Sequence, residues 1–386
     1  MLELGAGLRE AFLLERGVRF LNHGSFGATP LVVLQSAERW RRRMEANPDR
    51  FMREELPLAL RRALQRLGVF LTAGADDLVF VENATAAVST VLRALDLRPG
   101  DEILGTSQRY GAVRQAVEFV CRRSGCTYVE ADVTLPVTTV HELVQPIVRK
   151  LSDKTRLVVL DHIASPTGLV FPIASLSAAA RRAGARVLVD GAHAPGQLAF
   201  ELPALGAHWY VGNCHKWLFA PKGTAFLWAA PDVQSSLHPL AISHGFGQGL
   251  RAEFDWTGTR DFSAWLALSD AIHFVEALGF DRISAYNHRL ATQAAHAIAA
   301  KWDTDVDGAD VLHGSMMAVR LPFNGSPSED VARRMQQALL SRHGIAAAVN
   351  RASGSLWVRI SGQIYNDLED YRALWELSPA SLRSYG

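Results

Sequence analysis

Lys216 stands in the stretch His208 to Trp228, with His215 before it and Trp217, Leu218 and Phe219 after it. The chain has 5 lysines against 35 arginines, so its basic surface has been given mostly to Arg. An amine held among aromatic and aliphatic side chains is desolvated, which lowers its pKa and frees its lone pair as a nucleophile. Such an amine forms a Schiff base with a carbonyl, either a substrate's or that of an aldehyde cofactor. A lysine snorkelling from a strand end has the same kind of neighbours. Other residues have to decide.

The segment RVLVDGAHAPG, residues 186–196, brings an apolar strand pattern to Asp190 and places His193 three residues later. A carboxylate there costs on the order of several kcal/mol unless a charged or hydrogen-bonded partner meets it. A pyridinium nitrogen is such a partner, and the acid keeps it protonated so that the ring serves as an electron sink. His193 could stack on that ring. Lys216 follows Asp190 by about 26 residues, one strand pattern further on. Near the start, Glu82-Asn83-Ala84-Thr85-Ala86-Ala87 runs into a helical pattern. Asn83 is a candidate N-cap, and small residues let backbone N–H groups approach an anion at the positive helix end. A capped helix that binds nothing reads the same way. Tyr110, in Ser107 to Ala112, could lie over a planar cofactor or simply form a rim. Asp161 to Gly168 is a polar turn after another strand pattern.

These residues need a frame. Short apolar runs at Leu78–Val81, Glu102–Leu104, Thr127–Val129, Leu157–Leu160, Val187–Val189 and Trp209–Val211 predict strands. Helical patterns at Ala84–Leu95, Gly111–Arg123, Val140–Leu151 and Ile173–Ala183 separate most of them. The alternation predicts an α/β fold with a mainly parallel sheet covered on both faces. Ligands gather at the carboxyl ends of such strands, which is where Asp190 and Lys216 fall. Upstream, LREAFLLERGVRF predicts a helix within residues 1–20. LNHGSFGATP has loop composition, with Asn22, His23 and Ser25 in a lid or a tight turn. Helices are expected at Leu31–Ala46 and Arg53–Leu71, joined by a turn at Asn47-Pro48-Asp49. From Phe262 onward, helices at Ala264–Leu278, Asp281–Trp302 and Glu329–Arg342 alternate with strands around Met317–Leu321, Ile345–Val349 and Leu356–Ile360.

Composition bounds the reading. At 386 residues the chain exceeds the size at which one core keeps growing, so two domains are expected. A net charge of +1 makes no electrostatic case for nucleic acid or an anionic membrane surface. No apolar run reaches transmembrane length, and the N-terminus lacks a secretory pattern. Cys121, Cys126 and Cys214 show neither metal spacing nor an even disulfide framework, which points to a reduced, cytoplasmic protein. Asp190, His193 and His215 include no pair at the i, i+4 spacing of a helical metal motif, so no metal is expected.

Taken together, the chain resembles the class V aminotransferase-like enzymes of fold-type I, which use pyridoxal 5'-phosphate (PLP), in the branch that contains isopenicillin N epimerase. LNHGSFGATP, ENATAAV, SPTGLVFPI, VDGAHAPG, HKWLFAPKG, GTRD and VRIS followed by Tyr365 carry the resemblance along nearly the whole chain. It implies a seven-stranded, mainly parallel sheet in a large domain (22–258). A smaller α/β domain would comprise 1–21 and 259–386. Lys216 would form the internal aldimine, Asp190 would hold the pyridine nitrogen and His193 would face the ring. Ala84, Thr85, Asn213 and His215 would bind phosphate, joined by Gly258 and Thr259 from a neighbouring subunit of a homodimer with shared sites. Tyr110 and Ser165 would flank the cofactor. Arg359 would grip the substrate carboxylate, with Asn22, His23 and Tyr365 near the substrate. The implied activity is chemistry at the Cα of an amino acid or amino-acid-like natural product, foremost epimerisation, with His23 or Tyr365 as the second proton-transfer group. The alternative is C–S lysis or oxidative decarboxylation-deamination of a cysteine conjugate in antibiotic biosynthesis. Cysteine desulfurase activity is disfavoured, because no cysteine follows Cys214.

Overall fold

The computed structural model of the protein describes residues 3–383; residues 1–2 and 384–386, which the domain division above includes, lie outside them. The chain opens with a 3-10 turn at Ala6–Ala11 and strand β1 (Arg19–Phe20) in place of the expected helix. Tertiary packing overrides the local pattern. Phe12 is extended and sets its ring 4.8 Å from Tyr365 and 5.9 Å from Phe219. LNHGSFGATP, read as a loop, contains one helical turn, His23–Phe26. It ends at Gly27, whose φ is +70°; a Cβ there would stand 2.1 Å from the His215 carbonyl oxygen. Only glycine lets this segment lie directly on the lysine stretch.

Helices Leu31–Ala46 and Leu56–Leu71 form as the periodicity predicts. The turn between them is itself helical: Asn47 caps Pro48–Arg50 by accepting the Arg50 N–H at 3.1 Å, and a π-helical segment Phe51–Glu55 continues into the second helix.

Strands β2 (Leu78–Val81), β3 (Glu102–Thr106), β4 (Thr127–Ala131), β5 (Thr155–Asp161), β6 (Arg186–Asp190), β7 (Trp209–Asn213) and β8 (Ala225–Ala229) make one sheet in the order β2-β8-β7-β6-β5-β3-β4. Only β8 runs against the others, pairing antiparallel with both β2 and β7. The α/β expectation holds, and β8 is the seventh strand that the apolar runs had not separated from the lysine stretch. Most of these strand residues are fully buried, since helices cover both faces.

Strands β9 (Met316–Arg320), β10 (Ile345–Ala346), β11 (Ala348–Ala352) and β12 (Ser355–Ser361) complete the set. The order β11-β12-β9 is an antiparallel sheet, while β10 pairs with β1 in parallel. Helices Phe280–Trp302, Glu329–His343 and Leu368–Trp375 pack around it in a second apolar cluster. Helix Leu268–Leu278 and Ile283 pack with the first cluster, that of the seven-stranded sheet. Among the described residues no helix is long and apolar enough to cross a membrane.

Candidate active site

The carboxyl ends of β2, β3, β5, β6 and β7 surround a cavity of about 360 Å³. Lys216 lies past the end of β7, 9% exposed, with Nζ 3.0 Å from His193 Nε2. Burial, with the Arg359 charge nearby and Asp190 only partly offsetting them, lowers the amine to about 7. His193 is pushed well below its usual range by burial and by the Lys216 charge, so its ring is neutral. Nε2 therefore accepts from the amine, and the buried Nδ1 has no partner among the described residues. An uncharged lysine amine near neutral pH has the lone pair that a nucleophile or base requires.

Asp190 ends β6 with Oδ1 accepting the Ala192 N–H at 3.0 Å. Burial raises its pKa, opposed by that N–H and by Lys216 and Arg109. Also lining the cavity, Asn83 caps the helix Ala84–Arg93, which Ala84 and Thr85 open, with Asn83 Oδ1 accepting the Ala86 N–H at 2.8 Å. Asn213 Oδ1 takes the Ala84 N–H at 2.9 Å, so one of the expected anion donors is already engaged. His215 Nδ1 donates to the Thr224 carbonyl at 3.1 Å, and burial lowers this histidine to about 4. A nearby dianion would favour its protonated form, which alone gives Nε2 a proton to donate.

Other expected residues divide between the cavity wall and the layer behind it. Tyr110 and Ser165 line the cavity, Tyr110 at 47% exposure. Arg359 is outside the lining and is held by the Ser165 carbonyl, by Asn22 Oδ1 at 3.0 Å and by Ser25 Oγ at 2.9 Å. Asn22 thus orients the guanidinium. His23 and Tyr365 also lie outside the lining and are fully buried. His23 Nε2 donates to the Lys216 carbonyl at 3.0 Å, which leaves Nδ1 to accept from the Tyr365 hydroxyl at 2.8 Å. Both side chains brace the lysine from behind. Gly258 and Thr259 do not line the cavity of their own chain, although the adjacent Arg260 pairs with Glu82 at its edge.

Phe26 and Asp161 are among the cavity residues to which the sequence assigns no role. Phe26, 68% exposed, stands at the mouth; a loop aromatic carries no signal of its own. Asp161 ends β5 as Asp190 ends β6, and the same signal, a carboxylate closing a buried strand, was available for it. Among the described residues no group of three or more His, Cys, Asp or Glu side chains could hold a metal ion.

The residues fit PLP. Lys216 would offer a neutral amine to the aldehyde, Asp190 a buried carboxylate to the ring nitrogen, His193 an unpartnered imidazole N–H, and the N-terminus of helix Ala84–Arg93 a site for the phosphate.

Comparisons with known proteins agree. The profile of the aminotransferase class-V family matches residues 21–374. The isopenicillin N epimerase of Amycolatopsis lactamdurans is 34% identical, over 96% of this chain and 97% of that protein. The L-cysteine desulfhydrase of Arabidopsis thaliana is 29% identical, over 93% of this chain and 87% of that one. The crystal structure of the cysteine desulfurase CsdA from Escherichia coli superposes with a TM-score of 0.78 at 19% identity, covering 99% of each chain, and shares the fold. The chain therefore belongs to the aminotransferase class-V family of PLP-dependent enzymes.

Proposed function

We propose that the enzyme eliminates a thiol from the β-carbon of a cysteine-type amino acid, with Lys216 as its one proton-transfer base. PLP, when bound, supplies the sink for the electron pair released at Cα. Lys216 Nζ removes the Cα proton, the Cβ–S bond breaks, and the same ammonium returns a proton to the departing sulfur. His193 Nε2, at 3.0 Å, accepts from the amine and keeps it aimed into the cavity. Arg359, held behind the cavity lining by Asn22, Ser25 and Ser165, would receive the substrate carboxylate by exchanging these partners for it.

The sealed state of His23 and Tyr365 carries this reading. Epimerisation needs a proton delivered to the opposite face of Cα, and both nitrogens of His23 are committed behind the lysine. Elimination needs no second base. Epimerisation stays as the second reading because the epimerase of A. lactamdurans matches at 34% over nearly its full length. Incubating the holoenzyme with L-cysteine, S-substituted L-cysteines and L- or D-amino acids separates the two. Thiol or sulfide formed in step with 2-oxo acid and ammonia is expected. Recovery of the amino acid with inverted Cα and no sulfur released would defeat elimination.

The reading includes a homodimer with shared sites. Gly258 has φ +129° with open space where a Cβ would point, which suits a loop that reaches toward a neighbouring chain. Sedimentation should give a dimer, and mixing Lys216→Ala subunits with subunits altered at Gly258 and Thr259 should restore about half the activity per heterodimer. The buried, free Cys121, Cys126 and Cys214 suit a reducing, cytoplasmic setting.

A further inference from the structure

The cavity holds a second buried carboxyl group that the reaction above does not use. Asp161 and Asp190 are register partners at the ends of β5 and β6. Parallel neighbours stand about 4.8 Å apart and register partners point to the same face of the sheet, so the two groups share one corner. Asp161 is 2% exposed and Asp190 5%, and both border the cavity.

Their surroundings differ. Asp190 has the Ala192 N–H on Oδ1 and the Lys216 amine nearby. Asp161 receives the Tyr110 backbone N–H, while its Oδ2 is buried with no partner among the described residues. The nearby fixed cation is Arg109, whose guanidinium fills the space over Gly105. A Cβ on Gly105 would stand 1.9 Å from Arg109 Nη1. Arg109 stacks on Tyr128 at 4.4 Å and makes its ion-pair contact with Glu130, at 3.8 Å, rather than with Asp161. Tyr210, on β7, also faces Asp190, with its hydroxyl 2.9 Å from His162 Nδ1. Two carboxylates in one dry corner do not both ionise. Burial and then the facing Asp190 push Asp161 well above the usual carboxylate range, and it is the member with the orphaned oxygen.

We propose that Asp161 is a positioning residue of this site: a neutral carboxylic acid whose O–H is directed across the strand pair to the Asp190 carboxylate, confining the negative charge to Asp190. An O–H donated to a carboxylate is a charge-assisted bond, and it keeps Asp190 ionised against its burial. The inference rests on the PLP reading only in its consequence, that Asp190 then holds the ring nitrogen more firmly.

Difference infrared spectroscopy of the apoprotein reads the proton directly. At neutral pH the wild type should show a protonated-carboxyl C=O band that Asp161→Asn removes. PLP titration of the apoprotein reads the consequence. Asp161→Asn keeps a neutral donor and should hold the PLP dissociation constant within about threefold, whereas Asp161→Leu should weaken it about tenfold or more. A wild type without the band, a band that survives in Asp161→Asn, or Asn and Leu variants that change PLP binding alike would each overturn the proposal. A chain that binds no PLP would defeat the cofactor reading and leave the infrared result to decide Asp161 alone.

Discussion

Lys216 Nζ lies 3.0 Å from His193 Nε2, and His313 Nε2 lies 3.1 Å from Asp307 Oδ2. Both pairs are buried, yet their charges come out opposite. At the cavity each group's partner is another base, so burial prevails and both shed protons, Lys216 down to about 7. In the scaffold burial also pulls His313 down. Asp307 and the Ala309 carbonyl outweigh it, and His313 ends above its ordinary value. The His313–Asp307 contact is an ion pair without hydrogen-bond alignment. Its members are otherwise committed: His313 Nδ1 donates to the Ala309 carbonyl at 2.9 Å, and Asp307 Oδ1 accepts the Ala318 N–H at 2.9 Å. One pair keeps a lone pair available for chemistry. The other spends its charges on holding the segment before β9. Burial is common to both, and the partner's sign decides between function and structure.

The largest effect should come from deleting the available amine. Lys216→Ala should cost at least about 10⁴-fold in turnover and abolish the borohydride-trapped PLP adduct, with peptide mapping placing the wild-type adduct on Lys216. An adduct on Lys222 would break the comparison at its centre. Asp190→Ala should follow at about 10³-fold in turnover, with weaker PLP binding. Near-normal rates with PLP bound would remove Asp190 from the mechanism.

Stability should move in opposite directions at the two pairs. His313→Gln leaves Asp307 buried and unpaired and should cost about 3–5 kcal/mol in denaturant unfolding, with the activity of folded molecules unchanged. His313 binds its proton more tightly folded than unfolded, so its contribution is present below about 6.5 and is lost as pH rises through its higher folded value. For Lys216 the folded value, about 7, lies below the unfolded 10.5. Between them the unfolded chain holds a proton that the folded chain has released, so stability rises with pH across that window. Lys216→Met should therefore stabilise the apoprotein by about 1–3 kcal/mol at pH 7, a gain that fades toward pH 10. A destabilised Lys216→Met variant would contradict the lowered pKa.

The smallest effect is expected at the sealed histidine. His23→Gln keeps a donor for the Lys216 carbonyl and should change turnover less than about tenfold, whereas losing a proton-transfer group costs about 10²–10⁴-fold. A loss in that higher range, seen as blocked Cα inversion, would return His23 to the chemistry and favour the epimerase reading.

Much of the site was legible because it obeys a local rule. Asp190 and Lys216 follow short apolar runs that read as buried strands, and parallel strands deliver their carboxyl ends to one rim. Asn83 announced its helix through cap chemistry, and the cap formed. Arg359 was legible only through the resemblance, and nothing local told that Asn22 and Ser25 would hold it. The N-terminal helix failed to form because Phe12 gains more from Phe219 and Tyr365, residues more than 200 positions away, than from its own helical turn.

The sequence by itself determined the strand–helix alternation and the α/β class, and it singled out Lys216 past a strand end, because periodicity and the residues that follow it are local properties. Which titratable groups face one another was decided only by tertiary structure. Strand order set Asp161 beside Asp190, 29 positions further along the chain, and the Gly27 segment folded His23 against the back of Lys216 rather than into the cavity. Proton affinities follow the partners that register and packing supply. A linear chain carries the groups without stating their neighbours.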